Sequence, residues 1–596
     1  MKTIIFFVIL LLSVYGNLYA QSFTKITVGL HVNDNRYSEG SSWGDINNDG
    51  YLDLFVPDAY EDKTNLLFIN NGDGSFTEVT TGPVVTDIST ASGGSFGDFN
   101  NDGHLDLFVQ NWFGNDNQLY INQGGGSFIK ITRGNIVTDG GYSFNSSVVD
   151  YDNDGNLDIF VDNGAFTGTG ENNFLYRGNG YGGFTKITNG DIVNDGEQSL
   201  SSGWCDYDDD GDLDVFVANG ATFDYRAINN FLYQNNGDGI FTKIFEGIVV
   251  NDLGNSAGVS WGDYDNDLDF DLFVANWGRE NNFLYQNDGD GTFTKITAGD
   301  IVNDGGHSVA GAWADYDNDG NLDLYVTNDY NENNCFYENN GDGTFTKITE
   351  GEFVNDGGRS NGATWADYNN DGYLDLFVPN GARPSQSNCL YRNNGVSGNN
   401  WINIKCVGTI SNTSAIGTKI KTRAVINSKP VWQLRQVSGQ TGFNAQNSFN
   451  IEFGFGKATI VDSIVISWSS GTIDVYTDIH VNRFYRATEG QGIDEIVLSV
   501  NEKKSGLPFK YKLFNNYPNP FNASTRISYS ILFSDFVTIK IYDMLGREIQ
   551  TLIHKFQVSG SYSVNFNAND LTSGVYFYTL RVGDDMVETK KMLLLR

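Results

Sequence analysis

Seven copies of an Asp-rich nine-residue loop dominate this chain, beginning at Asp45, Asp98, Asp150, Asp206, Asp263, Asp315 and Asp367. The cleanest copy runs Asp315-Tyr-Asp317-Asn-Asp319-Gly320-Asn321-Leu-Asp323. Side-chain oxygens fall at positions 1, 3, 5 and 9, and position 7 can offer its backbone carbonyl. Hard oxygen ligands at alternating positions, with a Gly that permits a sharp turn, suit Ca²⁺. Position 12, where an EF-hand needs Glu, is an apolar strand residue such as Val56 or Val326, so the ninth-position Asp must close each site instead.

The candidate metal ligands follow loop by loop. They are Asp45, Asn47, Asp49, Tyr51 and Asp53 in the first and Asp98, Asn100, Asp102, His104 and Asp106 in the second. The third offers Asp150, Asp152, Asp154, Asn156 and Asp158, and the fourth Asp206, Asp208, Asp210, Asp212 and Asp214. The fifth offers Asp263, Asp265, Asp267, Asp269 and Asp271, and the sixth Asp315, Asp317, Asp319, Asn321 and Asp323. Asp367, Asn369, Asp371, Tyr373 and Asp375 complete the set, giving about seven Ca²⁺. Two carboxylates roughly 4 Å apart repel by about 4 kcal/mol at an effective dielectric near 20, so clustered loops call for a cation. Leu268 stands where the other six loops carry Gly, which predicts that the fifth site binds most weakly.

The copies lie 52 to 57 residues apart, a period that signals a propeller or solenoid. The units carry variants of Ser-x-x-Gly-x-Trp-x-Asp (complete at Ser308 to Asp315), the Asp loop, and an apolar run. A variable loop, Asn-Asn-Phe-Leu-Tyr, a Gly-Asp-Gly turn and Phe-Thr-Lys-Ile then follow. These short β-branched and aromatic runs between turn residues read as four strands, one propeller blade. The fourth-strand signature also stands at Phe23 to Ile26, before the first loop, and none follows the seventh unit. The N-terminal copy is free to complete the last blade and remove its open edge. The expectation is an all-β chain: a seven-bladed β-propeller over 21–398, a small β domain, and a C-terminal Ig-like β-sandwich. The repeats resemble the FG-GAP/VCBS family of the integrin α propellers, which implies calcium-binding loops between the inner two strands of each blade.

The chain has 37 Lys and Arg against 74 Asp and Glu. That balance argues against a nucleic-acid partner, whose phosphates require cationic neutralisation. Residues 1–20 read as a secretory signal, too short for a membrane anchor, and no later segment is apolar enough to span. Four cysteines are too few for a disulfide framework, and Cys205, Cys335 and Cys389 read as buried apolar residues.

After Asn399 the loops stop. Ala415-Ile-Gly-Thr-Lys-Ile-Lys-Thr-Arg, Gln436-Val-Ser-Gly-Gln-Thr-Gly442 and Phe453 through Gly471 are similar to the ASPIC/UnbV domain of the cartilage acidic protein family, giving a small β domain at 399–490. Residues 491–510 read as a linker. Beyond it, Asn516-Tyr-Pro-Asn-Pro-Phe-Asn522, Ile541-Tyr-Asp-Met-Leu-Gly-Arg-Glu548 and Gly574-Val-Tyr-Phe-Tyr578 resemble a type IX secretion C-terminal sorting domain at 511–596. That resemblance implies the type IX machinery as a partner and the surface or medium of a Gram-negative bacterium as destination.

None of the five histidines is spaced as a zinc site or falls in a nucleophile–base motif. The loops opposite the Asp face carry Tyr60, Trp112, Phe113, Phe166, Phe223, Tyr225, Arg226, Trp277, Arg279, Tyr330 and Arg383, rings and cations suited to a glycan or protein ligand. Trp43, Trp204, Trp261, Trp313 and Trp365 recur two residues before the first Asp and read as blade core. The expectation is a non-enzymatic adhesin or glycan- or protein-binding module; the alternatives are a polysaccharide-active lyase or glycosidase on the loop-rich face, or a structural surface component.

Overall fold

The computed structural model describes residues 22–496 and 512–595, except the short stretches 34–35, 60–62, 165–169, 221–226, 238, 382–385, 396, 532–534, 558–559, 570 and 583–584. The proposed signal and linker core, and Tyr60, Phe166, Phe223, Tyr225, Arg226 and Arg383, lie outside the described residues.

Each repeat forms a four-stranded antiparallel sheet in sequence order, as in Ser308–Ala314, Asp323–Asn328, Cys335–Asn339 and Phe345–Ile348. The inner strand is buried throughout: the pattern Ser-x-Ala-Gly-Ala-Trp-Ala of Ser308–Ala314 places small residues where neighbouring blades converge. Inner strands of successive blades pack on one another around the ring, and Ser41–Gly44 of the first blade also meets Thr364–Ala366 of the seventh. The expected closure is present. Phe23–Ile26 pairs antiparallel with Cys389–Asn393, Phe23 opposite Asn393 and Ile26 opposite Leu390, as outermost strand of the last blade. Phe23 packs its ring on Phe353, Tyr316 and Trp365. Four of the five repeated tryptophans are buried in blade cores as expected, Trp43 and Trp365 fully, while Trp261 is only partly buried against its blade core. All four cysteines are free, Cys335 only half-buried.

Blades are tied together by an asparagine that ends the third strand. Asn235 Nδ2 donates to Leu213 O of its own loop and to Tyr151 O of the preceding blade. Asn70, Asn122, Asn287, Asn339 and Asn393 do the same toward Tyr368, Ile46, Tyr207, Tyr264 and Tyr316. The third blade has Gly178 there, and the Gly182 N–H reaches Phe99 O instead. A net hydrogen bond contributes about 1 kcal/mol, but a buried group left unpaired costs about 1–3 kcal/mol.

The second domain joins two four-stranded sheets. One holds Asn450–Gly454, Trp401–Val407, Arg483–Thr488 and Gly492–Ile496; the other holds Lys429–Gln436, Lys419–Ile426, Ile460–Ser467 and Ile473–His480. Its last strand therefore runs into the stretch that reads as linker from 491. Propeller and second domain fall in one compact unit, apart from the short pieces 47–49 and 123–127, with a shared core in which Ile402, Ile420, Ile464 and Phe453 join Phe99, Leu157 and Ile159 of blades two and three. The C-terminal unit has a three-stranded and a four-stranded sheet around Ile527, Tyr529, Ile539, Tyr578 and Leu580. No helix among the described residues is long and apolar enough to cross a membrane.

Deleting Ser22–Ile26 should expose the edge of blade seven. We expect aggregation, or a broadened melt, by light scattering and calorimetry; a monomeric deletion variant with an unchanged sharp transition would show that closure is dispensable.

Candidate metal centres on the loop face

Every Asp loop joins the inner two strands of its blade and has the same backbone shape. Position 4 is left-handed in all seven, from φ +52° at Asn153 to +61° at Asn266, and so is position 6. Asn and Asp tolerate that region, and Gly does so without cost. Leu268 is held at φ +79°, which costs a side-chain-bearing residue roughly 1–2 kcal/mol; packing of its side chain beside Cys205, Phe270 and Leu434 offsets part of this.

The position-4 side chains link one loop to the next. Asn101 donates to Asn156, Asn153 to Asp212, Asn266 to Gly320 O, Asn318 to Gly372 O, and Asn370 to Gly50 O. Position 5 caps the turn: Asp102, Asp154, Asp210, Asp267, Asp319 and Asp371 each accept the N–H of position 7 through one oxygen. The ninth Asp is a staple. Asp158 accepts the Tyr151 N–H at 3.1 Å with one oxygen and the Gly178 N–H at 2.7 Å with the other, and Asp53, Asp106, Asp214, Asp271 and Asp323 repeat the arrangement. In Asp375 one oxygen takes the Asn393 N–H.

Several of the sequence-predicted oxygens converge. Carboxylate oxygens of Asp150, Asp152 and Asp158 lie within 4.8 Å of one another, as do those of Asp206, Asp208 and Asp210, of Asp263, Asp265 and Asp271, and of Asp315, Asp317 and Asp323. These clusters can hold metal ions. In loops one, two and seven, position 3 is Asn47, Asn100 or Asn369, whose oxygen caps the N–H of Asp49, Asp102 or Asp371; the acidic charge there is lower by one.

In the third and fourth loops the carboxylates divide their labour. Asp150 uses one oxygen for the Gly155 N–H and Asn412 Nδ2; Asp206 uses one for the Gly211 N–H and Lys419 Nζ, the latter at 2.5 Å. Asp152 gives one oxygen to Arg177 at 2.7 Å, and Asp208 one to Gln234 at 2.5 Å. The remaining oxygen on each of these four groups is buried and accepts no hydrogen bond. Such orphaned acceptors fit a bound cation. In the fifth loop both oxygens of Asp263 are engaged, one by Leu434 N and the other by Leu268 N at 3.4 Å.

Burial pushes the loop carboxyls upward, neighbouring carboxylates adding to it: Asp150 and Asp263 to about 7, Asp106 and Asp367 to about 8, Asp214 to about 9. Raising these groups above their unfolded value near 3.8 means the folded state binds more protons.

The second domain caps this face, which the sequence did not announce. Besides Asn412, Lys419 and Leu434 N, Gly454 N donates to Asp315 at 3.1 Å, Ser414 Oγ accepts the Asp98 N–H, and Lys405 stands 3.8 Å from Asp45. Lys419 also binds Asp209, the one acidic position 4 among the acceptors of this domain. A hairpin beyond Gln436 then threads the channel between the inner strands. Gly439 bridges to Val148 and Gly442 to Val259, Ala445–Gln446 extends the first blade beside Ser41 and Ser42, and the Gln446 amide clasps both the N–H and the carbonyl of Phe96.

At the far mouth Phe443 packs into a cluster with Trp112, Phe144, Leu200, Trp277 and Val309. Trp112 and Trp277 are therefore buried floor, not exposed ligand rings as the sequence suggested: a partner from some 170 to 330 residues downstream covers them. Tyr330 is 46% exposed and Arg279 is also exposed, as expected. The Tyr330 ring lies tilted against His307 at a centroid distance of 4.5 Å, with the Arg359 guanidinium 5.0 Å from its ring. Arg359 is bidentate on Asp329, and His307 Nδ1 meets Glu332 at 3.0 Å.

Comparison with known proteins accords with this architecture. The FG-GAP-like repeat model matches residues 45–109, 98–161, 206–274, 263–326 and 315–378. The ASPIC and UnbV model matches 408–494, and the secretion system C-terminal sorting domain matches 515–594. The chain is an FG-GAP-repeat protein with an ASPIC/UnbV domain and a type IX sorting domain. The sorting domain marks it for export to the surface or the medium. Human cartilage acidic protein 1 is 26% identical over 254 residues, 41% of this chain and 37% of that one; the Xenopus tropicalis protein of the same name is 27% identical over 274 residues, 43% and 41%. The chain thus spans about two fifths of the curated relatives it matches. A crystal structure of BBS1N in complex with ARL6DN is similar at a TM-score of 0.40 and 11% identity, covering 63% of this chain and 97% of that one, too low to carry an argument.

Two outcomes follow. Metal-free protein should lose stability as pH rises from about 4 to about 9, because the unfolded chain releases these protons near 3.8 and the folded chain only near 7–9; urea midpoints across that range should fall, and a rise would contradict the burial reading. Leu268→Gly should raise the affinity of the fifth site severalfold by relieving the left-handed strain; calcium titration of parent and variant measures it, and unchanged binding would show that the strain is absorbed elsewhere.

Proposed function

We propose that this is an exported calcium-binding protein, non-enzymatic, whose propeller and ASPIC/UnbV domain are locked together through the loop carboxylates and which presents its opposite face to an extracellular glycan or protein. The observation that carries the reading is the divided carboxylate. In Asp150 and Asp206 one oxygen is held by the second domain and the other, buried and unpaired, points into a cluster of acceptors. An all-oxygen, multiply charged donor set of flexible carboxylates suits Ca²⁺ better than the strict octahedron of Mg²⁺ or the N/S preference of Zn²⁺. Asp150, Asp152 and Asp158 would hold it in the third loop, with equivalent groups in the others. The bound ion would supply charge neutralisation, and the residues themselves supply the docking contacts.

Occupancy and docking are then linked. A ligand at 100 times its Kd stabilises the bound form by about 2.7 kcal/mol per site. Calcium removal should therefore loosen the second domain as well as the loops. Hydrogen exchange in 438–447 should be slow in calcium and at least tenfold faster in chelator; equal protection in both would sink the reading. Gly454→Ala, whose added Cβ would collide with Asp315 Oδ2 and the Asn318 backbone, should give fast exchange even in calcium.

The ligand-facing part rests on Tyr330, Arg279 and the paired Arg359–Asp329 and His307–Glu332, which offer donors and acceptors beside an exposed ring. A glycan array on the calcium-loaded chain, read together with reducing-end release, tests it. Binding without product, reduced by Tyr330→Ala, supports a binding module; new reducing or unsaturated ends would replace it with an enzyme.

A further inference from the structure

The third strand of each blade begins on the side away from the Asp loops, and in six blades its first residue is apolar or Cys: Leu66, Phe174, Phe231, Phe283, Cys335 and Cys389. In blade two that residue is Gln118, 6% exposed. Where it is Phe, the ring fills the space at the start of the strand. Lys186, Lys243 and Lys295 hold their ammonium groups 3.6, 3.4 and 4.0 Å from the ring centroids of Phe174, Phe231 and Phe283. A Cβ added at Gly141 or Gly254 would meet the Phe174 or Phe283 ring at 3.2 or 2.8 Å, so the chain entering those blades passes the ring as Gly. Blade two departs at both places. Gln118 takes the place of the ring, Ser89 stands where Gly141 and Gly254 stand, and a cavity of about 440 Å³ lined by both opens there.

The lining is largely polar, with one carboxylate and no cation. Its frame is fixed internally: Asn111 Nδ2 donates to Asp116 O, Asn111 Oδ1 accepts the Thr90 N–H, and Thr90 Oγ1 donates to Trp112 O. Other groups keep capacity. Gln118 Oε1 accepts the Tyr120 hydroxyl at 2.8 Å, but of its two amide N–H groups only one has a described partner, Ile88 O at 3.5 Å. Asn115 Nδ2 donates to Thr90 Oγ1, and its carbonyl oxygen accepts no described hydrogen bond. The Asp116 side chain is exposed and its carboxylate has no hydrogen bond or ion pair among the described residues. Ile88, 64% exposed, adds an apolar edge.

We propose that this cavity binds one neutral sugar unit, with Asp116 accepting from two adjacent hydroxyls, Asn115 and Gln118 exchanging hydrogen bonds with others, and Ile88 against the ring C–H groups. A carboxylate accepts through both oxygens, and amides both donate and accept, the inventory that a ring of hydroxyls requires. A uronate would bring a second negative charge beside Asp116 with no lining cation to offset it. The volume falls in the range of small-molecule sites. The inference rests on the glycan side of the proposed function and gives it a place and a sugar class; that place is in blade two, whereas Tyr330 follows the second strand of blade six.

The test uses the full chain, with D-glucose, D-galactose and D-mannose as neutral probes and D-glucuronate and D-glucosamine as charged counterparts, read by saturation-transfer NMR and calorimetric titration. At least one hexose should bind saturably, and glucuronate about tenfold more weakly. Gln118→Phe restores the ring that blades three, four and five carry and fills the cavity; it should weaken hexose binding at least tenfold without lowering the melting temperature. Asp116→Asn gives blade two the residue that stands at this place as Asn172, Asn281 and Asn333, and should weaken binding severalfold. Tyr330→Ala should leave it unchanged. Binding lost in Tyr330→Ala but kept in Gln118→Phe overturns the inference and leaves the glycan reading in place, as does glycan-array binding without any hexose bound. Preference for glucuronate or glucosamine overturns the neutral-sugar assignment. No binding to hexose or array removes both.

Discussion

A carboxylate with two oxygens facing different partners organises this molecule. The ninth Asp of the first six loops is the simplest case: one oxygen holds the loop's second residue and the other holds the end of the third strand, as Asp158 does with Tyr151 and Gly178. The same loop thereby fixes its own turn and the register of its blade. The first Asp repeats the device one level up. In Asp150, Asp206, Asp263 and Asp315 an oxygen accepts from the second domain. Moving these groups out of water is expensive, and the upward-shifted carboxyls record that cost. The loops are built tightly enough to hold several acids together, and that tightness is what lets them position another domain.

The blade count, the ring closure and the role of Gly at position 6 were legible in the sequence because each rests on local chemistry repeated seven times. A period, an alternating strand and a left-handed turn residue are all short-range properties. Leu268 was legible for the same reason: one departure in a repeated pattern has a defined steric meaning, and its φ of +79° bears it out. The asparagines of the third strand were overlooked although they recur just as regularly. Asn reads as turn chemistry, and nothing local distinguishes an Asn that caps its own turn from Asn235, which reaches the neighbouring blade.

What lay beyond the sequence is the threading of the channel. Gln436-Val-Ser-Gly-Gln-Thr-Gly442 has the composition of a surface loop: small, polar and rich in glycine. Those properties suit a narrow channel lined by backbone, where Gly439 passes against Val148 and an added Cβ would collide with its carbonyl. The misreading of Trp112 and Trp277 has the same origin. Rings on variable loops are ordinarily solvent-facing, but here Phe443 arrives from another domain to cover them. Contacts of such sequence separation leave no periodic trace.

The distribution of charge between the two domains argues that they were shaped for each other. Four loops carry Asp at position 3: Asp152, Asp208, Asp265 and Asp317. These are the same four whose first Asp accepts a hydrogen bond from the second domain, through Asn412, Lys419, Leu434 N and Gly454 N. In the loops with Asn100 and Asn369, the described hydrogen bonds to the first Asp come from its own loop, to Asp98 from the Asp102 and Gly103 N–H groups and to Asp367 from those of Asp371 and Gly372; in the loop with Asn47, Lys405 forms an ion pair with Asp45 at 3.8 Å. An extra buried negative charge is tolerable where a donor offsets it and destabilising where none does. A propeller separated from its second domain should therefore lose most in loops three to six, where the first Asp accepts a hydrogen bond from that domain and position 3 adds a further carboxylate.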